Sequence, residues 1–374
     1  MNDYASPLRL FQPRQFDYGA GSAAQVGVWA ATEGFGRILV LTQKVMVPLI
    51  DRLALPGQVV VFDGVQPEPD SANLAQALEA ARAAAPDLVI GFGGGSVMDL
   101  AKLVTVLRGG QELADVIGPN RVAGRQNALA LVPTTAGTGS EAGIRALVTD
   151  AATMNKVAVE SRHLMPDMVA LDPDLTMSVP PAVTAATGID AMAHCVEAFT
   201  NRKAHPLIDN YARLGFGLVA RYLPRAVRDG ADAEARAALL LAAYYGGICL
   251  GPVNTAAGHA LAYPLGTRLK LAHGLANAVI FPHVLAFNQP VAGAKTAEIA
   301  AALGLRHDSE AALREDAARW CAQFGVEMRL SRLGATEDQL AGWAAEAHAI
   351  RRLMDNNPRD MTVDEVLTIY RAAF

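Results

Sequence analysis

The sequence predicts a parallel α/β domain followed by an all-helical domain, on three observations. In the first half, short β-branched runs, "RILVLTQ", "QVVVFDG", "DLVIGFGGG" and "ALALVPTT", alternate with alanine-rich stretches such as "NLAQALEAARAAA" and "VMDLAKLVTVL". That alternation is the pattern of parallel strands joined by crossover helices. From about Pro180, long Ala- and Leu-rich stretches with helical spacing run to Phe374. Between the two textures, the prolines of "DPDLTMSVPPA" mark a boundary, which places the domains at 1–180 and 181–374.

A chain of 374 residues that is 52% hydrophobic and 18% charged can bury a large core, and two domains suit that length. The formal net charge is −5 and no run of Lys and Arg occurs, so the electrostatic footprint of a nucleic-acid-binding protein is missing. A small-molecule partner is expected instead. Cys195, Cys249 and Cys321 are odd in number and lie outside any CxxC spacing, which suits a reducing compartment. The N-terminal "MNDYASPLRLFQPRQFDYG" has no apolar core of the signal-peptide kind, and the cytoplasm is the expected location. Between Arg236 and Arg268 there is no Lys, Arg, Asp or Glu. The glycines, Pro252, Asn254 and His259 inside that stretch favour a buried helix or helix pair over a membrane span.

Taken in order, the first element with chemistry is "DLVIGFGGGSVMDLAK", a buried strand running into Gly93, Gly94 and Gly95. Ser96 is the expected helix N-cap, with Asp99 three residues on as in a capping box. Glycines there let backbone N–H groups approach a diphosphate, with the helix dipole in support. A tight turn without a ligand explains the same residues. After the next apolar strand, "ALALVPTTAGTGSEA" supplies Thr134, Thr135, Thr138, Ser140 and Glu141. In a doubly wound sheet both turns fall at the carboxyl edge, where ligands bind. Alternatively, these hydroxyls satisfy loop backbone.

The helical half opens with "GIDAMAHC", in which Asp190 and His194 stand four positions apart and share a helix face. A buried carboxylate and imidazole need a partner, a hydrogen bond or a metal. Downstream, "AGHALAYPLGTRLKLAHG" places His259 and His273 in apolar surroundings. One carboxylate and three imidazoles suit Fe(II) or Zn(II) and leave a position for substrate oxygen. His163, His205, His307 and His348 read as structural core or surface residues; His283 in "FPHVLAFN" is ambiguous and leans structural.

Together, "GFGGGSVMDLAK", "PTTAGTGSE", "ATGIDAMAHCVEAF" and "GHALAYPLGTRLKLAHG", in this order, resemble the iron-containing alcohol dehydrogenase family, and the likeness runs from "FDYGAGS" to the C-terminal helix. The resemblance implies a Rossmann-like dinucleotide-binding domain, a helical domain in the dehydroquinate synthase-like arrangement, and an active site in the cleft between them. It implies Asp190, His194, His259 and His273 as ligands of Fe(II), with Zn(II) as the other candidate. It further implies NAD or NADP bound by Gly94, Gly95, Ser96, Asp99, Thr134, Thr135 and Thr138, with Lys156 of "ATMNKVAV" close to the cofactor. The implied reaction interconverts an alcohol and an aldehyde or ketone by hydride transfer, in a homodimer or larger oligomer.

Three positions depart from the family pattern. Tyr263 stands where many members have a histidine that helps pass the alcohol proton to solvent; it either joins a proton chain or shapes the pocket. Gln43 ends the "RILVLTQ" strand where NAD-preferring relatives often carry an acid, which leaves NAD, the cofactor favoured here, and NADP both open. Arg145, and with it Arg268, either anchors an acidic group on the substrate or pairs with a structural carboxylate. Leu250 and Phe199 are expected to bear on pocket size. The competing readings are a dehydroquinate-synthase-like lyase and a non-catalytic nucleotide or metal sensor on the same scaffold.

Overall fold

The computed structural model describes residues 3–153 and 155–374; Met1, Asn2 and Met154, the last within the quoted segment around Lys156, lie outside the described residues. Two compact units emerge, one of Leu10–Ser178 and one of Val179–Phe374 together with the N-terminal residues up to Arg9.

In the first unit, β1 (Gln15–Tyr18), β2 (Arg37–Leu41), β3 (Gln58–Phe62), β4 (Leu88–Gly93), β6 (Ala128–Pro133) and β9 (Met168–Leu171) form a six-stranded sheet in the order β1-β9-β6-β4-β2-β3. Every pairing in it is parallel. Helices α1 (Gln25–Thr32), α2 (Ser71–Ala84) and α3 (Gly95–Leu107) cover the faces, and α4 (Leu113–Val116) is a single turn. A smaller sheet, β5 (Gly118–Pro119), β8 (Lys156–Glu160) and β7 (Arg145–Thr149), completes the unit. The central strands are unbroken apolar runs because both of their faces are covered. Leu39, Val89 and Leu131 point to one core, and Ile38, Ile90 and Val132 to the other. Fully burying each such side chain contributes on the order of 2 kcal/mol.

Buried charge fastens α3 to the segment after β6. Lys102 Nζ donates to the carbonyl oxygens of Ser140 at 2.6 Å and Arg145 at 2.7 Å. Asp99 accepts from Ser140 Oγ at 2.6 Å and from the Leu147 amide at 2.9 Å. Glu141 is buried beside them. Burial raises the Glu141 carboxyl to about 7 and lowers the Lys102 ammonium to about 8, although each is drawn back toward charge by the other.

The second unit is helical throughout: α5 (Pro181–Thr200), α6 (Pro206–Arg228), α7 (Ala233–Leu250), α8 (Ala257–Arg268), α9 (His273–Leu303), α10 (Glu310–Ala322), α11 (Leu340–His348), α12 (Arg351–Met354) and α13 (Val363–Ala373). The uncharged stretch is the helix pair α7 and α8. Helix α7 is long and apolar enough to cross a membrane, but 67% of it is buried within the protein, as a core helix would be. Phe199 is fully buried against Phe216, with Lys295 and Arg213 over its ring, so it is a core residue; Leu250 is partly buried at the end of α7. His205 caps α6 by accepting from the Leu207 amide, as a structural histidine.

Two contacts set the site's surroundings. At the start of α9, a Cβ on Gly274 would lie 2.5 Å from the Ala186 carbonyl oxygen of α5, so only glycine allows this approach. Around α12, Asn356 Nδ2 donates to the carbonyl oxygens of Thr255 and Arg352, while Asn357 and Asn288 form a buried reciprocal amide pair.

Gly274→Ala forces α9 away from α5 and is expected to cost about 1–3 kcal/mol, read as a lower thermal midpoint; an unchanged midpoint contradicts the close approach. Glu141, with its folded-state value raised from 4.5 to about 7, binds its proton more tightly when folded. Its stabilising contribution is complete below pH 4.5 and is lost as pH rises through 7. Over that interval wild type loses on the order of 3 kcal/mol relative to Glu141→Gln in urea titrations; a difference independent of pH contradicts the buried acid.

Candidate metal and dinucleotide sites

Along α5 the sequence Asp190, His194 and Glu197 repeats at intervals of four and three, so all three side chains leave the same face of one helix. Helix α8 brings His259 to that face and the first residue of α9 brings His273. One potential donor atom from each of Asp190, His194, His259 and His273 falls within 4.8 Å of the others. Asp190 Oδ1 lies 3.6 Å from His259 Nε2 and 3.7 Å from His273 Nε2. Donors sharing one ion through bonds of about 2.1 Å stand roughly 3.4 Å apart in a tetrahedron. His194 and His259 stack at 4.6 Å between ring centroids.

The electrostatics call for a cation. Burial works against charge on Asp190, but the imidazoles of His194, His273 and His259 hold its carboxyl far below the usual carboxylate range. Burial would lower His259; Glu197 and Asp190 together outweigh it and raise that imidazole to about 10. His259 Nε2 is nonetheless buried without a hydrogen-bond partner. The donor set fits a divalent ion: one anion, three imidazoles and an inward-facing nitrogen with nothing to bind.

Sequence reasoning missed two residues that support these candidate ligands. Glu197 Oε1 lies 2.7 Å from His259 Nδ1, and Glu197 Oε2 accepts the Ala256 amide at the start of α8. That bond holds the proton on Nδ1 and leaves Nε2 to face the cluster. Asn277, one turn after His273, donates to Asp190 Oδ1 at 2.6 Å and lies 3.2 Å from His273 Nε2. Extending the Asp190–His194 spacing by three, and the His273 spacing by four, would have found both. Tyr263 sits beside His273, ring centroids 6.2 Å apart, and its Oη accepts from Arg352 Nη2 at 3.0 Å.

In the α/β unit the two polar turns meet. Gly94 caps α3 with its backbone and no side-chain cap is present, which corrects the expected Ser96 cap. The helix begins two residues earlier than that cap implies, at Gly95; Ser96 Oγ instead accepts from the Glu68 amide, and Asp99 is turned to Ser140 and Leu147. A Cβ on Gly95 would lie 2.7 Å from Thr138 Cγ2, and one on Gly94 3.2 Å from Thr135 Oγ1. The helix terminus and the second turn are thus packed together, with Thr134 buried below. Gln43, two residues past the end of β2, forms an isolated bridge to Gly64, and Lys156 pairs with Glu68. Arg145 Nε pairs with Glu160 Oε2 at 2.6 Å, and Arg268 Nε with Glu346 at 3.1 Å.

Comparison with known proteins agrees with this geometry. Residues 13–173 match the family model described as iron-containing alcohol dehydrogenase, and residues 184–374 match the model of that family's C-terminal part. The long-chain-alcohol dehydrogenase 1 of Geobacillus thermodenitrificans is 34% identical over 99% of this chain and 97% of its own. Among solved structures, a 1,3-propanediol oxidoreductase superposes with a TM-score of 0.93 at 29% identity, covering 99% of this chain and 100% of that one. A sulfoacetaldehyde reductase from Bifidobacterium kashiwanohense, in complex with NAD+, gives 0.89 at 28% identity and covers 99% of each chain. These relatives favour the oxidoreductase over the lyase and sensor readings. With both halves matched and a relative spanning the whole length, the chain belongs to the iron-containing alcohol dehydrogenase family and is a metal-dependent, NAD(P)-linked alcohol oxidoreductase.

Proposed function

We propose that Asp190, His194, His259 and His273 hold the iron of this alcohol dehydrogenase, and that Gly94, Gly95, Ser96, Thr134, Thr135 and Thr138 line its dinucleotide site. The observation that carries the reading is the buried convergence of one carboxylate and three imidazoles, with Glu197 fixing the tautomer of His259. When bound, the ion supplies Lewis acidity at the alcohol oxygen, and the nicotinamide supplies a hydride acceptor, or a donor in reverse.

The chain's residues do the rest. Asp190 provides the one negative charge among the ligands, and Asn277 and Glu197 hold Asp190 and His259 in orientation. The uncapped start of α3 offers N–H groups and a positive dipole end to a diphosphate. Asp99 acts indirectly, by holding Ser140 and Leu147 beneath that turn. Lys156, paired with Glu68, borders it. We assign NAD as cofactor: Gln43 offers no positive charge to a 2′-phosphate, and the reductase relative binds NAD+. Tyr263 acts as a wall beside His273. Arg145 and Glu160 are cross-strand partners between β7 and β8, and this pairing supports a structural role for the guanidinium.

The same reading places the enzyme in the cytoplasm, consistent with three buried free thiols, and as a homodimer or larger. In support of an oligomer, β1 is an edge strand with partly exposed Phe16 and Tyr18.

Anaerobic reconstitution with Fe(II), and separately Zn(II), is expected to give metal-dependent oxidation of NADH by aldehydes, with NADPH slower. No turnover under any of these conditions overturns the assignment. Glu197→Gln is expected to weaken metal affinity about 10–100-fold in chelator competition while circular dichroism stays that of wild type. Unaltered affinity removes Glu197 from the site.

A further inference from the structure

Four arginines in and around α8 and α12 are compensated by carboxylates. Arg268 pairs with Glu346, Arg351 with Asp355, Arg359 with Glu365 and Arg202 with Asp360. Arg352 has no carboxylate partner: its one hydrogen bond goes to Tyr263 Oη, and its guanidinium carbon lies 5.5 Å from the centre of that ring. The Arg352 residue is exposed. The backbone below it is fixed, because buried Asn356 holds the Arg352 carbonyl and Asn357 ties the following residues to α9. The side chain is therefore presented from a rigid support.

Its place relative to the four-ligand cluster gives that charge a use. Asp190 and His259 side chains are 2% and 3% exposed, whereas His273 is 21% exposed, so the cluster opens past His273. Tyr263 stands on that side, in ring contact with His273, and Arg352 stands on Tyr263. Imidazole, phenol and guanidinium thus form a continuous row leading outward from the accessible edge. A substrate whose oxygen reaches the ligand cluster would extend the rest of its chain along this row.

We propose that Arg352 is a specificity-determining residue that binds an anionic group, a carboxylate or sulfonate, on the far end of a short aldehyde or hydroxy acid. A guanidinium suits such planar or tripodal oxyanions, and four uncommitted N–H groups allow a bidentate bond. The assignment rests on the metal-site reading above. It also moves the anion-binding role considered for Arg145 or Arg268, both of which are paired with carboxylates, to Arg352, which among the described residues has no carboxylate partner.

The test compares butanal with 4-oxobutanoate, equal in length and differing in a terminal carboxylate, on the metal-loaded enzyme with NADH. Wild type is expected to prefer 4-oxobutanoate in kcat/KM. Arg352→Ala lowers the ratio of the two kcat/KM values about tenfold, and Arg352→Lys restores part of it. Calorimetry gives a readout apart from turnover: succinate binds the metal-loaded enzyme more tightly than butyrate, and Arg352→Ala abolishes that difference. A wild-type preference for butanal, or equal loss on both aldehydes in Arg352→Ala, overturns the proposal, since a residue that merely supports Tyr263 would lower both together. Absence of turnover on either aldehyde counts against the metal and cofactor sites, and the succinate comparison still decides Arg352.

Discussion

The helical unit is organised around one constraint, the negative charge of Asp190 in an apolar interior. Stripped of water, that carboxylate is costly unless positive charge or hydrogen bonds meet it. Three imidazoles and the Asn277 amide converge on it, and Glu197 stands behind His259. Two carboxylates share this pocket with neutral rings, so the arrangement is balanced only by a cation, a proton on His259 or a divalent ion in its place. The packing serves the same end: Gly274 allows α9 to meet α5 closely enough for His273 to join residues eighty positions earlier in the chain.

The α/β unit solves a different problem. Anion recognition at a strand-to-helix turn needs free N–H groups, and free N–H groups leave the turn with little of its own to hold it. The uncapped start of α3 is steadied from outside instead. Thr135 and Thr138 pack against Gly94 and Gly95, and the loop that carries them is fastened by Lys102 and Asp99 through Ser140, Arg145 and Leu147. Residues that look like ligand contacts by sequence adjacency are in part the scaffold under the contacts. Asp99 is the plainest case, because both of its oxygens are engaged by protein donors.

Charge compensation separates structural arginines from a functional candidate more sharply than sequence position does. Arg145 falls in a segment that the family resemblance places near substrate, yet it faces Glu160 across the β7–β8 pair. Arg352 carries no motif, and it is the guanidinium set beside Tyr263 on the open side of the cluster.

The sequence by itself determined the two textures of the fold, the four candidate ligands and both glycine- and threonine-rich turns, because these depend on local periodicity and short spacing. Unbroken apolar runs bounded by turn residues specify buried strands, and intervals of four place Asp190 with His194, whatever lies elsewhere. Tertiary structure decided what depends on distant residues meeting. It turned Asp99 from a cap into a brace, placed Phe199 in the core, paired Arg145 and Arg268 with carboxylates, and set Arg352 against Tyr263, 89 positions earlier. A side chain's partner is chosen by packing between elements, and no pattern within either segment encodes that choice.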